Sequence, residues 1–568
     1  MLARFSVRSD DIDRSRSPIG RSFTRGNGKG DVKGYLALLL HCHLPYVRHP
    51  EHDDFLEEDW FYEAVSETYV PLLDLLEGLD ARSVPFRLAL SFSPTLCEMF
   101  ANDLLRQRCV RYLERHLELA EKEVARLSGT AFEASARMYR EHYVRVYRTY
   151  VERCSCDVLK AFGRLAERGR VELLGSAATH ALLPLLTTRE GLTAQVTVGI
   201  ANFEKHFGWR PSGFWLPECA YSPGVEALLA EFGIRYFVVD THGLLMADPK
   251  PRYGVFAPLA TPAGTYAFGR DFESSRQVWS AQEGYPGDPA YRDFYRDLGY
   301  DADLRYVRPY LPTEGVRRYL GFKYHRVTGD VPLERKEPYD PAAAARRAAI
   351  HAQHFVDARV DQVRRVGAVT SLNPLIVSPY DGELFGHWWF EGIRFIGCVF
   401  GEVARRSELT CVTPSQYLGW HCGPGREPLQ PGRPAMSTWG DRGYFEVWVN
   451  GSNDWIYPRL HRAETAMVKA AARFRNGEGL TQRALNQCAR QLMLAQSSDW
   501  PFLMATGTAR DYAVNRFEQL LDRFDQLHGQ LMGQGVEPRI LEAYERLDDA
   551  FPEMDYRAFR PDVSPSLD

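Results

Sequence analysis

Six short apolar runs punctuate the chain: Tyr35 to Leu40, Phe86 to Phe92, Val171 to Leu174, Gly213 to Leu216, Arg235 to Val239 and Leu375 to Ser378. Runs this brief, bounded by Pro- and Gly-containing loops, read as buried strands. Helical patterns such as Gly224 to Phe232 lie between several of them. Strands alternating with helices predict a mainly parallel sheet covered by helices, here an α/β barrel.

From Leu96 to Gly169 the strand signal stops, and Leu113, Leu117, Ala120, Val124 and Leu127 recur at the spacing of an amphipathic helix. The expected organisation is therefore a barrel from 34–95 and 170–414, interrupted by a helical insertion over 96–169. Helical periodicity returns at Leu460, Ala463, Met467, Ala470 and Phe474 and continues to about residue 548, so 415–568 is expected to be a helical C-terminal domain. The stretch Tyr266 to Tyr339, rich in Tyr, Gly, Pro and charge, shows little periodicity and is expected to lie over the active site as a long functional loop. Residues 1–33 mix Arg, Ser and Gly with four Asp and read as a disordered extension or a misplaced start.

Charge narrows the partners. A formal net charge of -5 over 568 residues argues against a phosphate backbone and for a neutral substrate. The run Tyr35 to Leu40 is far shorter than the roughly 20 residues that cross a bilayer, so no membrane association is expected. Ten cysteines without paired C-x-x-C spacing indicate neither a zinc framework nor a disulfide scaffold, and point to reduced thiols in a cytoplasmic protein. Lacking a coiled-coil seam, the chain reads as a monomer. Several of the 11 Trp sit in Gly- and Pro-rich stretches, where binding surfaces are a better use for them than core filling.

Three strands end in polar clusters: His41-Cys-His-Leu-Pro45, Trp215-Leu-Pro-Glu218 and Ser378-Pro-Tyr-Asp381. In an α/β barrel the carboxyl ends of parallel strands converge on one face, so distant clusters can share a pocket. Glu218 and Asp381 then form a carboxylate pair of the kind that cleaves glycosidic bonds. A lone acid at a strand end is more often a helix cap or an ion-pair partner. The aromatic neighbours Trp215, Tyr221, Tyr380, Trp388 and Trp389 favour the catalytic reading, because ring faces pack against the C–H patches of sugars. His41 and His43, two apart in an extended segment, point the same way. They fit sugar-hydroxyl bonding, buried structural roles, or half of a zinc site whose third ligand would come from His49, His52 or His180.

Taken together the motifs resemble glycoside hydrolase family 57, and within it the branching enzymes. The matching stretches are His41-Cys-His-Leu-Pro-Tyr-Val-Arg48, Glu172 to His180, Phe214 to Tyr221, Ser378 to Trp389 and Ser497-Ser-Asp-Trp-Pro-Phe502, in family order across nearly everything after residue 33. The resemblance implies a distorted (β/α)7 barrel with a helical insertion and a helical C-terminal domain. It implies Glu218 as nucleophile and Asp381 as general acid/base, with no metal and no cofactor. His41, His43 and His180 match positions lining the donor sugar site, and Trp279, Trp439 and Trp448 match glucan-binding aromatics. Asp499 and Trp500 lie in the motif that closes the cleft, while Trp215, Arg276 and Trp388 complete the substrate-binding candidates. Trp439, Trp448 and Trp455 have the alternative of anchoring the helical domain on the barrel.

The implied activity cuts α-1,4-glucan and re-forms it as α-1,6 branches through a covalent glucosyl-enzyme, with carboxyl groups about 5–5.5 Å apart. Ser222-Pro-Gly224 leads directly into a helix, so the loop favouring transfer over hydrolysis is short or is supplied by residues 242–269. The alternatives are an α-amylase or 4-α-glucanotransferase using the same pair, a zinc-dependent polysaccharide deacetylase, and a non-catalytic glucan binder.

Overall fold

The computed structural model describes residues 32–561 apart from 281–282, 312–314, 371, 423–429 and 534. The extension read at 1–33 lies, but for its last two residues, outside the described residues. The strands are β1 (Gly34–Cys42), β2 (Leu88–Phe92), β3 (Val171–Ser176), β4 (Gly213–Trp215), β5 (Tyr236–Val239), β6 (Leu259–Ala260), β7 (Tyr266–Gly269), β8 (Leu375–Asp381), β9 (Leu409–Cys411) and β10 (Gln430–Pro431). They form one curled sheet in the order β10-β6-β7-β5-β4-β3-β2-β1-β8, with β9 also beside β1.

From β8 through β1 to β7, seven strands run parallel. The antiparallel β6 takes the edge of β7 that closure would need. Closure is displaced to the far end, where the Asp271 backbone N–H donates to the Val377 carbonyl at 2.8 Å. This is a distorted (β/α)7 barrel, as the motifs implied. All six expected strands are present, but β7 opens the stretch that was expected to be a loop. Four residues after a turn are too few to show a period.

The continuous apolar run of β1 hides an alternation. Tyr35, Ala37 and Leu39 join the cluster inside the barrel, whereas Leu36, Leu38 and Leu40 pack outward under the helices. His41 is in phase with Leu39 and so projects inward at the carboxyl end. Behind β1 lies the 30-residue helix Pro341–Thr370, started by Asp340, whose carboxylate accepts from the Ala342 and Ala343 N–H groups at 2.8 and 3.1 Å. The helix packs so closely that a Cβ at Gly34 would sit 2.5 Å from Val363 Cγ1. Gly34→Ala is therefore expected to lower stability by about 1–3 kcal/mol, read as a fall in the urea midpoint.

Between β2 and β3 the chain forms helices Pro94–Ala101, Asp103–Arg126, Glu133–Tyr147 and Val158–Glu167. The helical bundle at the other end starts at Ile456–Arg473, later than residue 415. Pro414–His421 instead packs Tyr417 on Tyr35 inside the barrel, and Trp439 and Trp448 belong to that same inner cluster. Helices Gly479–Ala495 and Arg510–Met532 carry most of the bundle's core. Buried Asp548 ties them together, accepting from Arg516 and Arg523 at 2.5 Å and from Gln491 at 2.9 Å. The bundle is fastened to the barrel by Tyr46 OH to Asp549 (2.6 Å) and Thr179 Oγ1 to the Met493 carbonyl (2.5 Å).

Candidate active site

The carboxyl ends of β1, β3, β4 and β8 open into a cleft of about 970 Å³, and it brings together His41, His43, His180, Glu218, Asp381 and Asp499 from across the sequence. Glu218 has φ 58° and ψ 23°, and His180 has φ 56°. Left-handed backbone at non-glycine residues costs on the order of 1–3 kcal/mol and persists where the surroundings over-determine it. At Glu218 they do: the Trp439 N–H donates to its carbonyl at 3.0 Å, while Trp439 Nε1–H donates to its Oε2 at 2.6 Å.

The three histidines form a parallel stack. His43 and His180 lie 3.7 Å apart with planes 16° from parallel, and His41 stacks on Trp215 at 4.7 Å. His41 Nε2 and His180 Nε2 are 2.8 Å apart, and His180 Nδ1 is 2.8 Å from Ser498 Oγ. Burial holds the His41 and His180 pKa values well below the usual imidazole range, aided by the charge of His43, so both are neutral. His41 Nδ1 has no partner, and a buried lone pair is better tolerated unpaired than a buried N–H. His41 Nε2–H therefore donates to His180 Nε2, His180 Nδ1–H donates to Ser498, and the Ser498 hydroxyl is left to donate to Glu218 Oε1, 3.5 Å away. His43 is occupied on both sides, by Ser93 Oγ at 2.8 Å and by both Asp499 oxygens at 3.0 Å. Stacked rings engaged in this way do not converge their lone pairs on one point. Among the described residues no group of three or more His, Cys, Asp or Glu is arranged to hold a metal ion.

Burial raises both Glu218 and Asp381 to about 7. Their remaining surroundings differ. Glu218 receives the short Trp439 bond, which favours the ionised form, although the charge of Asp381 opposes it. Asp381 is pushed further up by Glu383, with His43 and Arg270 pulling against it. Both carboxyls are thus poised near neutrality, with the Trp439 bond favouring the ionised form of Glu218 and the charge of Glu383 favouring the protonated form of Asp381. Glu383 is itself raised to about 7 by burial, and it accepts from the His43 N–H at 3.1 Å and from the Tyr69 hydroxyl. Glu383→Gln is expected to move the alkaline limb of the pH–rate profile to lower pH. Without the neighbouring negative charge Asp381 gives up its proton earlier, and a limb that stays put would remove Glu383 from this role.

Among the predicted aromatics, Trp279, Trp388, Trp439 and Trp448 line the cleft. Six residues are placed otherwise than expected. Trp215 is buried behind His41, and Trp500 is buried in the helical bundle with Nε1–H donating to the Leu494 carbonyl at 2.7 Å. Tyr221, Tyr380 and Trp389 are buried core residues that do not line the cleft. Arg276 lies outside the cleft, on a groove behind Trp279 and Trp439, paired with Glu283 at 2.7 Å. Trp455 packs edge-on against Phe517 of the bundle. The expected loop does supply cleft wall through Ser280, Arg292, Phe294 and Tyr295. It is held by buried pairs, Arg292 to Glu67 at 3.0 Å and Lys336 to Asp293 at 2.6 Å.

Sequence reasoning missed Glu383 and Arg270. Glu383 sits two residues from Asp381 within a quoted motif, so that spacing was an available signal. Arg270 had none. Its guanidinium stands 5.1 Å from the Trp279 ring and 5.6 Å from Trp439, anchored by Asp240 at 3.1 Å, and orients both rings.

Residues 37–427 match the model of glycosyl hydrolase family 57, and residues 459–559 match a model described as the C-terminal region of 1,4-α-glucan branching enzymes. A 1,4-α-glucan branching enzyme of Thermococcus kodakarensis is 34% identical over 92% of this chain and 78% of its own length. The crystal structure of a family 57 branching enzyme from Pyrococcus horikoshii superposes with a TM-score of 0.83 at 33% identity, over 94% of this chain and 98% of that one. The crystal structure of the α-amylase AmyC from Thermotoga maritima superposes with a TM-score of 0.87 at 41% identity, over 93% of this chain and 99% of that one.

Proposed function

The chain belongs to glycosyl hydrolase family 57, and from that premise we propose that it is a 1,4-α-glucan branching enzyme working by double displacement. The observation that carries branching is the match of residues 459–559 to the branching-enzyme C-terminal model, whose region here brings Ser498 to Glu218 and Asp499 to His43 in the cleft.

Glu218, ionised and braced by Trp439, attacks the anomeric carbon while Asp381 gives its proton to the departing glycosidic oxygen. Asp381 then takes a proton from the 6-hydroxyl of an acceptor chain, and that oxygen displaces Glu218 with overall retention. Asp499, whose oxygens keep lone pairs beyond the His43 bond, accepts from donor hydroxyls, and the stacked His41, His43 and His180 form the wall on which the donor sugar rests. Water competes as acceptor, so transfer needs a groove that keeps it out and holds the 6-hydroxyl in place. Trp279, Trp439 and Trp448 form the walls suited to this.

A second reading, α-amylase, is favoured by the 41% identity to the Thermotoga maritima α-amylase. Proton NMR of amylose incubated with the enzyme separates them. New α-1,6 anomeric signals without a matching rise in reducing ends are expected, whereas reducing ends alone would make the enzyme an amylase.

A further inference from the structure

We propose that the row of rings Trp388, Phe294, Tyr319 and Tyr300 is an outer track that binds a long α-1,4-glucan strand beyond the catalytic cleft. The proposal rests on the reading that the cleft acts on such glucans. Trp388 and Phe294 line the cleft and stack at 4.3 Å with planes 26° apart. The row continues outward from Phe294 to Tyr319 at 6.1 Å and from Tyr319 to Tyr300 at 5.2 Å. Outside the cleft it stays open, with Tyr319 36% and Tyr300 49% exposed and Trp388 51% exposed at its inner end. Exposed aromatics in an unbroken line, starting at the wall of a substrate cleft, mark a binding surface rather than core.

The row is also rigid. Buried Lys323 places its ammonium 5.1 Å from the Phe294 ring and 4.7 Å from the Tyr319 ring, and pairs with Asp297 at 3.1 Å. Asp297 accepts as well from the N–H groups of Gly299 and Leu320, both at 2.8 Å, next in sequence to Tyr300 and Tyr319. One buried ion pair therefore fixes both chain segments that carry the outer rings. Phe294 is engaged by Trp388 and the Lys323 ammonium, so the rings left open to a neutral polymer with repeated C–H patches are those of Trp388, Tyr319 and Tyr300, whose ordering costs are met before binding.

The test compares the parent with a Tyr300→Ala/Tyr319→Ala variant. In the Glu218→Gln background, where turnover is cut by about 10⁴ or more, affinity electrophoresis through amylose is expected to show about fivefold weaker retardation. In the active background KM for amylose is expected to rise by a similar factor. The kcat, and turnover of maltooligosaccharides too short to leave the cleft, should stay unchanged. Unaltered retardation, or equal losses on long and short substrates, would overturn the track. Retardation is read without reaction, so failure of the parent to form α-1,6 links would strike at the branching assignment and not at this one.

Discussion

Glu218→Gln is expected to cut turnover of amylose by about 10⁴ or more while glucan binding remains measurable. The amide keeps the size of the carboxylate and can still meet Trp439 Nε1–H through its carbonyl oxygen, so the left-handed turn at 218 should survive. What disappears is the carboxylate charge and the electron pair that forms the covalent bond. Turnover is followed as iodine-staining decay and as α-1,6 signal, binding as retardation in amylose gels. Residual activity within tenfold of the parent would mean that the nucleophile lies elsewhere.

How far the sequence alone reaches depends on what each residue's placement rests on. Glu218 and Asp381 were legible because each follows a strand whose end is set by its own apolar run, and parallel strands share one mouth. His41 and His43 were legible through the two-residue period of an extended segment. Trp215 and Trp500 were not, although they sit in the same motifs as catalytic candidates. Trp215 is still within β4, where alternation turns Phe214 outward and Trp215 into the barrel beneath the histidines. Trp500 follows Asp499 directly on one helix, about 100° round, so an acid facing the cleft places its neighbour in the bundle. Arg270 and β7 were hidden for another reason. Each depends on how the barrel closes at Asp271, a long-range event with no local period.

Asp381→Asn should reduce turnover of amylose by roughly 10²–10⁴, because both halves of the reaction lose their proton carrier. The two halves can be separated by the leaving group. An α-glycosyl fluoride expels fluoride without prior protonation, so glycosylation of Glu218 should proceed in this variant, whereas its breakdown still needs a base to activate the acceptor hydroxyl. The glycosyl-enzyme is then expected to accumulate, visible by mass spectrometry as a single added sugar on the peptide that contains Glu218. It should be absent from the Glu218→Gln/Asp381→Asn double variant. The Asp381 site favours this outcome, since burial and the nearby Glu383 hold its proton in the parent enzyme, and asparagine preserves the packing while removing that proton. Release of a β-configured product with no adduct would instead require water to attack directly from the face opposite the leaving group. In that case Glu218 would be serving as a base and not as the atom that bonds to the sugar.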